Sequence, residues 1–308
     1  MSLRVFLTGA GGYVGGVLLE HLARLPEVER VTGIGLMPPS DPLPPKATFR
    51  PMDVRSPDLP ATMAGHDVVI HTACVVLWRA SMPARERDDI NLNGVRSVAM
   101  AARANHVRRF IHASSMAAYD PSLARGQTGV SEDFPLGKGD SPFYYWNSKA
   151  AAEKTLAEVL GPTGTLLTLL RPIYIMGPRN RAVTRSYRRI AANLLGHNPR
   201  RQFVHEDDVA AAFVQALRTD MPGPYNVVPD DWLRLADVWR IVGAKAVPTV
   251  PLWLAAWITY LRWRWLGAPV HPSWVRDMLV DFTGSNARLK AAGWAPRFGS
   301  EAALRAAL

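Results

Sequence analysis

The sequence predicts an α/β protein: a doubly wound parallel sheet followed by a smaller, mainly helical C-terminal part. Three observations carry this expectation. Short β-branched runs alternate with helical patterns through about residue 170, a glycine-rich turn joins the first run to the first helix, and the composition changes after about residue 230. Strands alternating with helices imply right-handed crossovers between parallel strands.

The expected strands are Leu3–Thr8, Val31–Ile34, Asp67–His71, Arg109–Ala113 and Thr165–Leu170, and the expected helices are Tyr13–Leu25, Ile90–Ala104 and Tyr144–Leu160. Five prolines among the eight residues Pro38–Pro45 exclude regular structure, so this stretch reads as a loop after the second strand. The dinucleotide-binding domain is expected to span residues 1–170, with 203–228 returning to it. Residues 171–202 and 229–308 are expected to form a substrate-binding part.

With 308 residues, 48% of them hydrophobic and 20% charged, the chain is long and apolar enough for one large core. No apolar stretch is long enough to span a bilayer, and the N-terminus reads as a strand rather than a basic leader, which makes the cytoplasm the expected compartment. The single cysteine, Cys74, excludes an internal disulfide or a cysteine-based metal site, and no metal is expected. A net charge of +10 raises the question of nucleic acid, but no helix-turn-helix, zinc-finger or RNA-binding signature accompanies it, and no nucleic-acid partner is expected.

Thr8-Gly9-Ala10-Gly11-Gly12-Tyr13-Val14-Gly15 follows the first strand directly and opens a helix. Gly9 permits a tight turn, Gly12 lets the backbone approach a pyrophosphate, and Gly15 allows the helix to pack closely on the sheet. The helix N-terminus then offers amide donors and partial positive charge to phosphates. A glycine triplet alone is weak; its position between a strand and an amphipathic helix makes it a dinucleotide-binding feature.

This spacing, and the words TGAGGYVG themselves, resemble the extended short-chain dehydrogenase/reductases, a group that includes nucleotide-sugar epimerases and dehydratases and hydroxysteroid- and dihydroflavonol-type reductases. The resemblance runs on through Asp53 in MDVRS, His66–Cys74 (HDVVIHTAC), Ile90–Gly94 (INLNG), Arg171-Pro172…Gly177-Pro178 and Phe203–Ala210 (FVHEDDVA), and covers about residues 1–230. It implies a Rossmann fold with NAD or NADP as cofactor. Cofactor contacts are implied for Gly9, Gly12, Tyr13, Val14 and Gly15, for Asp53 and Val54 near the adenine, and for Thr72 and Ala73 beside the ribose. Asn91, Tyr145, Lys149 and Pro172 complete that set. One departure stands out: Gly35 occupies the place of the acidic residue that takes the adenine-ribose hydroxyls in NAD enzymes, with Leu36 and Met37 after it. The choice between NAD and NADP stays open.

Tyr145 and Lys149 are four residues apart, on one face of a helix. A tyrosine with a pKa near 10 is a poor base at neutral pH, and a neighbouring ammonium favours its phenolate. Tyr145 is therefore the candidate proton carrier to or from a substrate oxygen as hydride moves. The resemblance adds that Lys149 hydrogen-bonds the nicotinamide ribose and that Ser115, at the end of the fifth strand, polarises the carbonyl; Glu153 follows in the family's pattern. Asn91 has two readings, a cofactor contact or a local hydrogen-bonder. His205, Asp207 and Asp208 read as structural, with an aspartate capping the helix Val209–Leu217.

Three functions compete: an oxidoreductase acting on a secondary alcohol or ketone of a lipid-like or secondary metabolite, a nucleotide-sugar epimerase, and a non-catalytic dinucleotide- or partner-binding relative. Met116-Ala117-Ala118 supplies no Asp-Glu pair to eliminate water, which disfavours a dehydratase, and Tyr174 replaces the asparagine of nucleotide-sugar enzymes. Arginines are dense at 179, 181, 185, 188, 189, 200 and 201, either as a solvated face or as a grip on an anionic or carrier-linked small-molecule substrate. Eight of ten tryptophans follow residue 230, densest in Pro251–Leu266. That helix reads as pocket or core, with a homodimer contact or a membrane surface as alternatives.

Overall fold

The computed structural model describes residues 2–245, 247–277 and 279–308, the side chains of Ala182, Ser186, Arg189 and Ile190 excepted. Strand β1 (Leu3–Thr8) leads through α1 (Tyr13–Ala23) to β2 (Val28–Gly35) and β3 (Ala47–Pro51). The short α2 (Leu59–Met63) precedes β4 (Val68–His71); α3 (Ala84–Asp88), a π-helical turn at Asp89–Asn93 and α4 (Gly94–Ala104) then lead to β5 (Arg109–Ala113). After α5 (Pro121–Ala124) and α6 (Tyr144–Leu160) the chain enters β6 (Leu166–Pro172). Next come β7 (Tyr174–Met176), α7 (Arg181–Ile190), the two-residue β8 (Asn193–Leu194) and β9 (Arg200–Arg201), β10 (Phe203–His205), α8 (Glu206–Arg218) and β11 (Gly223–Val227). The C-terminal part holds β12 (Leu233–Arg234), α9 (Leu235–Ile241), β13 (Thr249–Val250), α10 (Leu252–Trp265), α11 (Ser273–Asp277), α12 (Ala287–Ala291) and α13 (Ser300–Ala306).

Seven strands form one sheet in the order β11-β6-β5-β4-β1-β2-β3, every pairing parallel. Helices cover both faces, so the central strands bury both sides and read as continuous apolar runs: Val5, Phe6 and Leu7 are fully buried. On one face α1 and α8 contribute Val17, Leu18, Val209 and Phe213. On the other, α2, α4 and α6 contribute Leu59, Met63, Val98 and Leu156. A third, smaller core gathers Met176, Phe203, Leu235, Trp239 and Leu304 beside the main sheet. The predicted doubly wound architecture is thus the observed one.

Two local expectations change. The sheet gains both edge strands, β11 (GPYNV) and β3; ATFRP was unread because it is short, carries an arginine and ends in proline, and at a sheet edge a proline costs no ladder bond that a neighbour needs. The expected helix Ile90–Ala104 is interrupted, its first turn forming the π-helical Asp89–Asn93. Such turns cluster at functional sites, and this one carries Asn91.

Helix α6 is fixed to the sheet by a buried ion pair. Arg171, on β6, donates to both Glu153 oxygens at 2.9 and 2.6 Å, and neither side chain is more than 3% exposed. Ser114 donates to the same Glu153 carboxylate, and the Arg171 guanidinium lies over the Tyr119 ring at 4.6 Å. Removing one member strands the other's charge in the core. Arg171→Leu is therefore expected to cost about 3–5 kcal/mol in urea unfolding; a change below about 1 kcal/mol would refute this role.

Candidate active site

The topological switch falls at β1, flanked by β4 and β2, and the crevice beyond the carboxyl ends of these strands is where such sheets receive ligands. Gly9 there has φ +72°, and a Cβ on it would lie 2.7 Å from the Ala73 nitrogen, so only glycine fits between the β1 and β4 loops. A Cβ at Gly15 would collide with the Gly9 carbonyl. Helix α1 begins after Gly12 with no side chain capping it, which leaves its first amides directed at the crevice. This bare cradle fits a dinucleotide pyrophosphate. The Tyr13 hydroxyl donates to the Glu206 carboxylate at 2.6 Å.

The ribose side differs from the usual arrangement. Gly35 ends β2, and a Cβ built there would meet Gly11, Met37 and Ala10 backbone atoms at 3.6–3.7 Å, ordinary contacts, so the place of the missing acid is sterically open. Asp53 follows β3 with its carboxylate held by Arg55 at 2.6 Å, and Arg55 also binds Asp89 at 2.6 Å. Those contacts hold the Asp53 carboxyl below its ordinary range, the Arg55 hydrogen bond foremost. Val54 is buried against Gly94. Thr72 continues the β4 line, its hydroxyl donating to the Thr8 carbonyl at 2.7 Å, with Ala73 beside Gly9. The Asn91 side-chain amide accepts from the Val75 N–H at 2.7 Å and donates to the Val75 carbonyl at 3.1 Å. It anchors the loop after β4 across sixteen positions of sequence.

On the reacting side, Tyr145, Lys149 and Glu153 form one stripe of α6, pointing progressively deeper. The buried Lys149 ammonium donates to the Ala113 carbonyl at 2.7 Å and lies 5.7 Å from the centre of the Tyr145 ring. Ser115 follows β5, caps the short turn Met116–Ala118 by accepting from the Ala117 N–H at 3.1 Å, and its hydroxyl lies beside Tyr145. Pro172 ends β6 opposite Val227. Burial raises the Tyr145 pKa, while the Lys149 charge and the Ser115 hydroxyl pull it down. Lys149 acts in the expected direction, toward the phenolate, and desolvation is the larger, opposing effect, so the Tyr145 pKa lies above its ordinary value. Burial works against the Lys149 charge, yet Cys74, Tyr145 and Glu153 around it prevail and raise its pKa.

Sequence reasoning missed several neighbours. Cys74 sits within hydrogen-bonding reach of Lys149. Behind it, His71 and His112 occupy matching positions on β4 and β5 and stack with ring centres 5.2 Å apart. The His71 Nδ1 pairs with the Thr8 hydroxyl at 2.6 Å; its Nε2 and both His112 ring nitrogens are buried with no hydrogen-bond partner among the described residues. Burial, helped by the Lys149 charge, pushes the His71 pKa down to about 3 and holds His112 well below its ordinary value.

Above Tyr145 the C-terminal part builds an aromatic roof. Trp274 lies 5.4 Å from the Tyr145 ring and donates its indole N–H to the Tyr144 hydroxyl at 3.1 Å. The Asp277 carboxylate accepts from the Trp146 indole at 2.9 Å and from the Tyr174 hydroxyl at 2.6 Å. Tyr174, in the place of an asparagine, thus ties β7 to α11, while Trp146 ties α6 to the same carboxylate. The capping expectation is also corrected: helix α8 starts at Glu206 and is capped by His205, whose Nδ1 accepts from the Asp207 N–H at 3.2 Å. Asp208 instead accepts from the Arg297 and Phe298 amides at 3.1 Å. No cluster of metal-ligating side chains occurs among the described residues. Of the dense arginines, Arg179 pairs with Glu20 and Asp41, Arg200 with Asp281, and Arg188 donates to the Val242 carbonyl. Arg201 donates to the Arg200 and Val280 carbonyls; Arg181 and Arg185 are exposed, and the Arg189 side chain lies outside the described residues.

A glycine cradle at a parallel-sheet switch point, with a tyrosine–lysine pair beside it, defines an NAD-dependent enzyme of the extended short-chain dehydrogenase/reductase type. Residues 5–228 match the NAD dependent epimerase/dehydratase family, and the chain belongs to it. Among curated relatives, an uncharacterized Mycobacterium tuberculosis protein is 26% identical over 265 residues, 79% of this chain and 67% of its own length. The 4-hydroxy-2-methyl-3-oxo-4-farnesyl-3,4-dihydroquinoline-1-oxide ketoreductase of Stigmatella aurantiaca is 31% identical over 57% of this chain and 51% of its own. The N-acetyl-alpha-D-glucosaminyl-diphospho-ditrans,octacis-undecaprenol 4-epimerase of Escherichia coli O157:H7 is 32% identical over 59% and 51%. Among solved structures, UDP-glucuronic acid 4-epimerase from Bacillus cereus, in complex with NAD, superposes with a TM-score of 0.75 at 18% identity over 99% of this chain and 97% of its own. UDP-glucose 4-epimerase from Thermotoga maritima gives 0.75 at 16% over the same shares. At these identities the likeness is one of fold.

The open position at Gly35 leads to a prediction about cofactor choice. Gly35→Asp should shift the ratio of NADH to NADPH affinity toward NADH by about tenfold or more, because a carboxylate there binds ribose hydroxyls and repels a 2′-phosphate. Calorimetric titration of both forms with both cofactors measures it; an unchanged ratio would place the adenine ribose elsewhere.

Proposed function

We propose that the chain is an NAD(P)-dependent oxidoreductase that interconverts a ketone and a secondary alcohol on a metabolite bearing an apolar, prenyl-like tail. The observation that carries this reading is Tyr145 held 5.7 Å from the Lys149 ammonium and beside Ser115, with the Trp274 ring above it. Two relatives support the tail: one is named for a farnesyl-bearing ketone, the other for an undecaprenol-linked sugar.

In this reading Gly9, Gly12 and Gly15 and the amides of Tyr13 and Val14 hold the pyrophosphate. Asp53 and Val54 border the adenine, and Thr72, Ala73 and Pro172 line the cleft between ribose and nicotinamide. The nicotinamide, when bound, supplies or receives the hydride. Ser115 donates to the carbonyl oxygen, and Tyr145 passes its proton to that oxygen as the carbon is reduced. Lys149, anchored on the Ala113 carbonyl, stabilises the tyrosinate left behind and orients the ribose. Residues 1–170 with 203–228 carry the cofactor, and 171–202 with 229–308 the substrate. The cofactor is NAD in the family at large; with Gly35 in the acid's place, NADP is accepted too.

A second reading, epimerisation of a carrier-linked sugar, uses the same residues with the hydride returned to the substrate, and the relative from Escherichia coli supports it. Either substrate, if anionic, meets positive charge at Arg181 and Arg185 on the exposed side of α7.

Tyr145→Phe should lower turnover at least a hundredfold while NAD(H) affinity stays within a few-fold, the range expected for losing a general acid. Turnover retained in the variant would refute the role. In the same assay, replacing Arg181 and Arg185 together with alanine should raise KM for the substrate at least fivefold with little change in kcat; an unchanged KM would remove the anionic-substrate reading.

A further inference from the structure

Helix α10 contradicts the expectation that it is core. Only Trp263 is buried along it; Trp253 and Trp265 are 70% exposed and Trp257 is 56% exposed. Trp253, Trp257, Tyr260 and Arg264 recur at helical spacing as one outward stripe. A contiguous exposed patch of this size marks an interaction surface. The patch has a sign as well: residues 238–276 contain no aspartate or glutamate, while Arg240, Lys245, Arg262, Arg264 and Arg276 fall within them. Arg264 lies over the Trp265 ring at 4.8 Å, an aromatic body with a cationic edge. No described helix is long and apolar enough to cross a membrane, and α10 has 14 residues.

The inner side of α10 is continuous with the reacting centre. The Trp263 indole donates to the Trp78 carbonyl at 2.7 Å, Trp78 packs edge-on against Tyr144, and Trp274 joins Tyr144 to Tyr145. Val76 and Leu77, both exposed, extend the apolar surface from the same loop.

We propose that α10 seats the protein on an anionic membrane surface. Its indoles enter the headgroup layer, and Arg262 and Arg264 lie at the lipid phosphates. Tryptophan and arginine together suit that layer because each has an apolar body and a polar end. Charge complementarity selects the bilayer over a second copy of the chain: two such faces would bring cations together with no carboxylate between them. The use of the docking, delivering a tailed substrate under the roof of Tyr145, rests on the oxidoreductase reading; the docking itself does not.

Co-sedimentation with phosphatidylcholine vesicles, with and without phosphatidylglycerol, tests it. The full chain should pellet with the anionic vesicles at low salt, pellet less at high salt, and stay in solution with the neutral ones. Arg262→Gln with Arg264→Gln should weaken partitioning roughly 30-fold, and Trp253→Ser with Trp257→Ser and Trp265→Ser should abolish it. NADH titration of each variant reports that the sheet is intact, and it separates failure of docking from failure of the oxidoreductase reading. The proposal is overturned if the chain does not pellet with anionic vesicles, or if folded variants pellet like the parent. It is equally overturned if the chain is a dimer that the tryptophan variant converts to monomer, which would assign the face to a second copy.

Discussion

The geometry of the candidate site depends on the buried Glu153–Arg171 pair. Helix α6 packs on the sheet through apolar side chains such as Leu156 and Leu160, contacts that carry no direction of their own. A charge pair sealed between helix and strand supplies it: any other register leaves a carboxylate unpaired in the core. Ser114 binds the same carboxylate and stands next to Ser115, so one anchor sets both the helix and the end of β5. One turn along α6 from the anchor is Lys149, and one further turn is Tyr145. The distance from Lys149 to the Ala113 carbonyl is thus a consequence of a contact deeper in the fold.

What the sequence disclosed follows from how local each signal is. The glycine cradle was legible because its three glycines and the strand and helix around them are contiguous, from Leu3 to Ala23, and each glycine has a distinct steric task. Tyr145 and Lys149 were legible because a spacing of four on a helix is a statement about geometry. The arginine cluster was legible only as charge, since which of Glu20, Asp41 and Asp281 would neutralise it depends on long-range folding. The π-helical turn at Asp89–Asn93 was hidden for the opposite reason: its residues suit an ordinary helix, and the contact that accompanies the turn, Asn91 to Val75, is distant in sequence.

The C-terminal part shows how a departure from family pattern is accommodated. Tyr174 gives up the contact that an asparagine would make and spends its hydroxyl on Asp277, which also holds Trp146. One carboxylate thereby joins β7, α6 and α11. The roof over Tyr145 is attached by directional hydrogen bonds at its inner edge and left aromatic at its outer edge, so position and adhesion are carried by different residues. The tryptophan abundance that reads as core in a periodicity plot is split between these two tasks, and periodicity alone does not separate them.

The two stacked imidazoles at the centre of the sheet have a consequence for the whole molecule. His71 and His112 are neutral when folded, with pKa values pushed far below the ordinary 6.5 by burial. In the unfolded chain both take up protons below that pH, while the folded sheet refuses them until about pH 3 in the case of His71. Stability is therefore whole above pH 6.5 and falls as the solution is acidified, by up to about 2.7 kcal/mol per pH unit for two protons. The strands that carry the cleft also make the fold a proton-linked equilibrium, one that a mildly acidic medium draws toward the open chain.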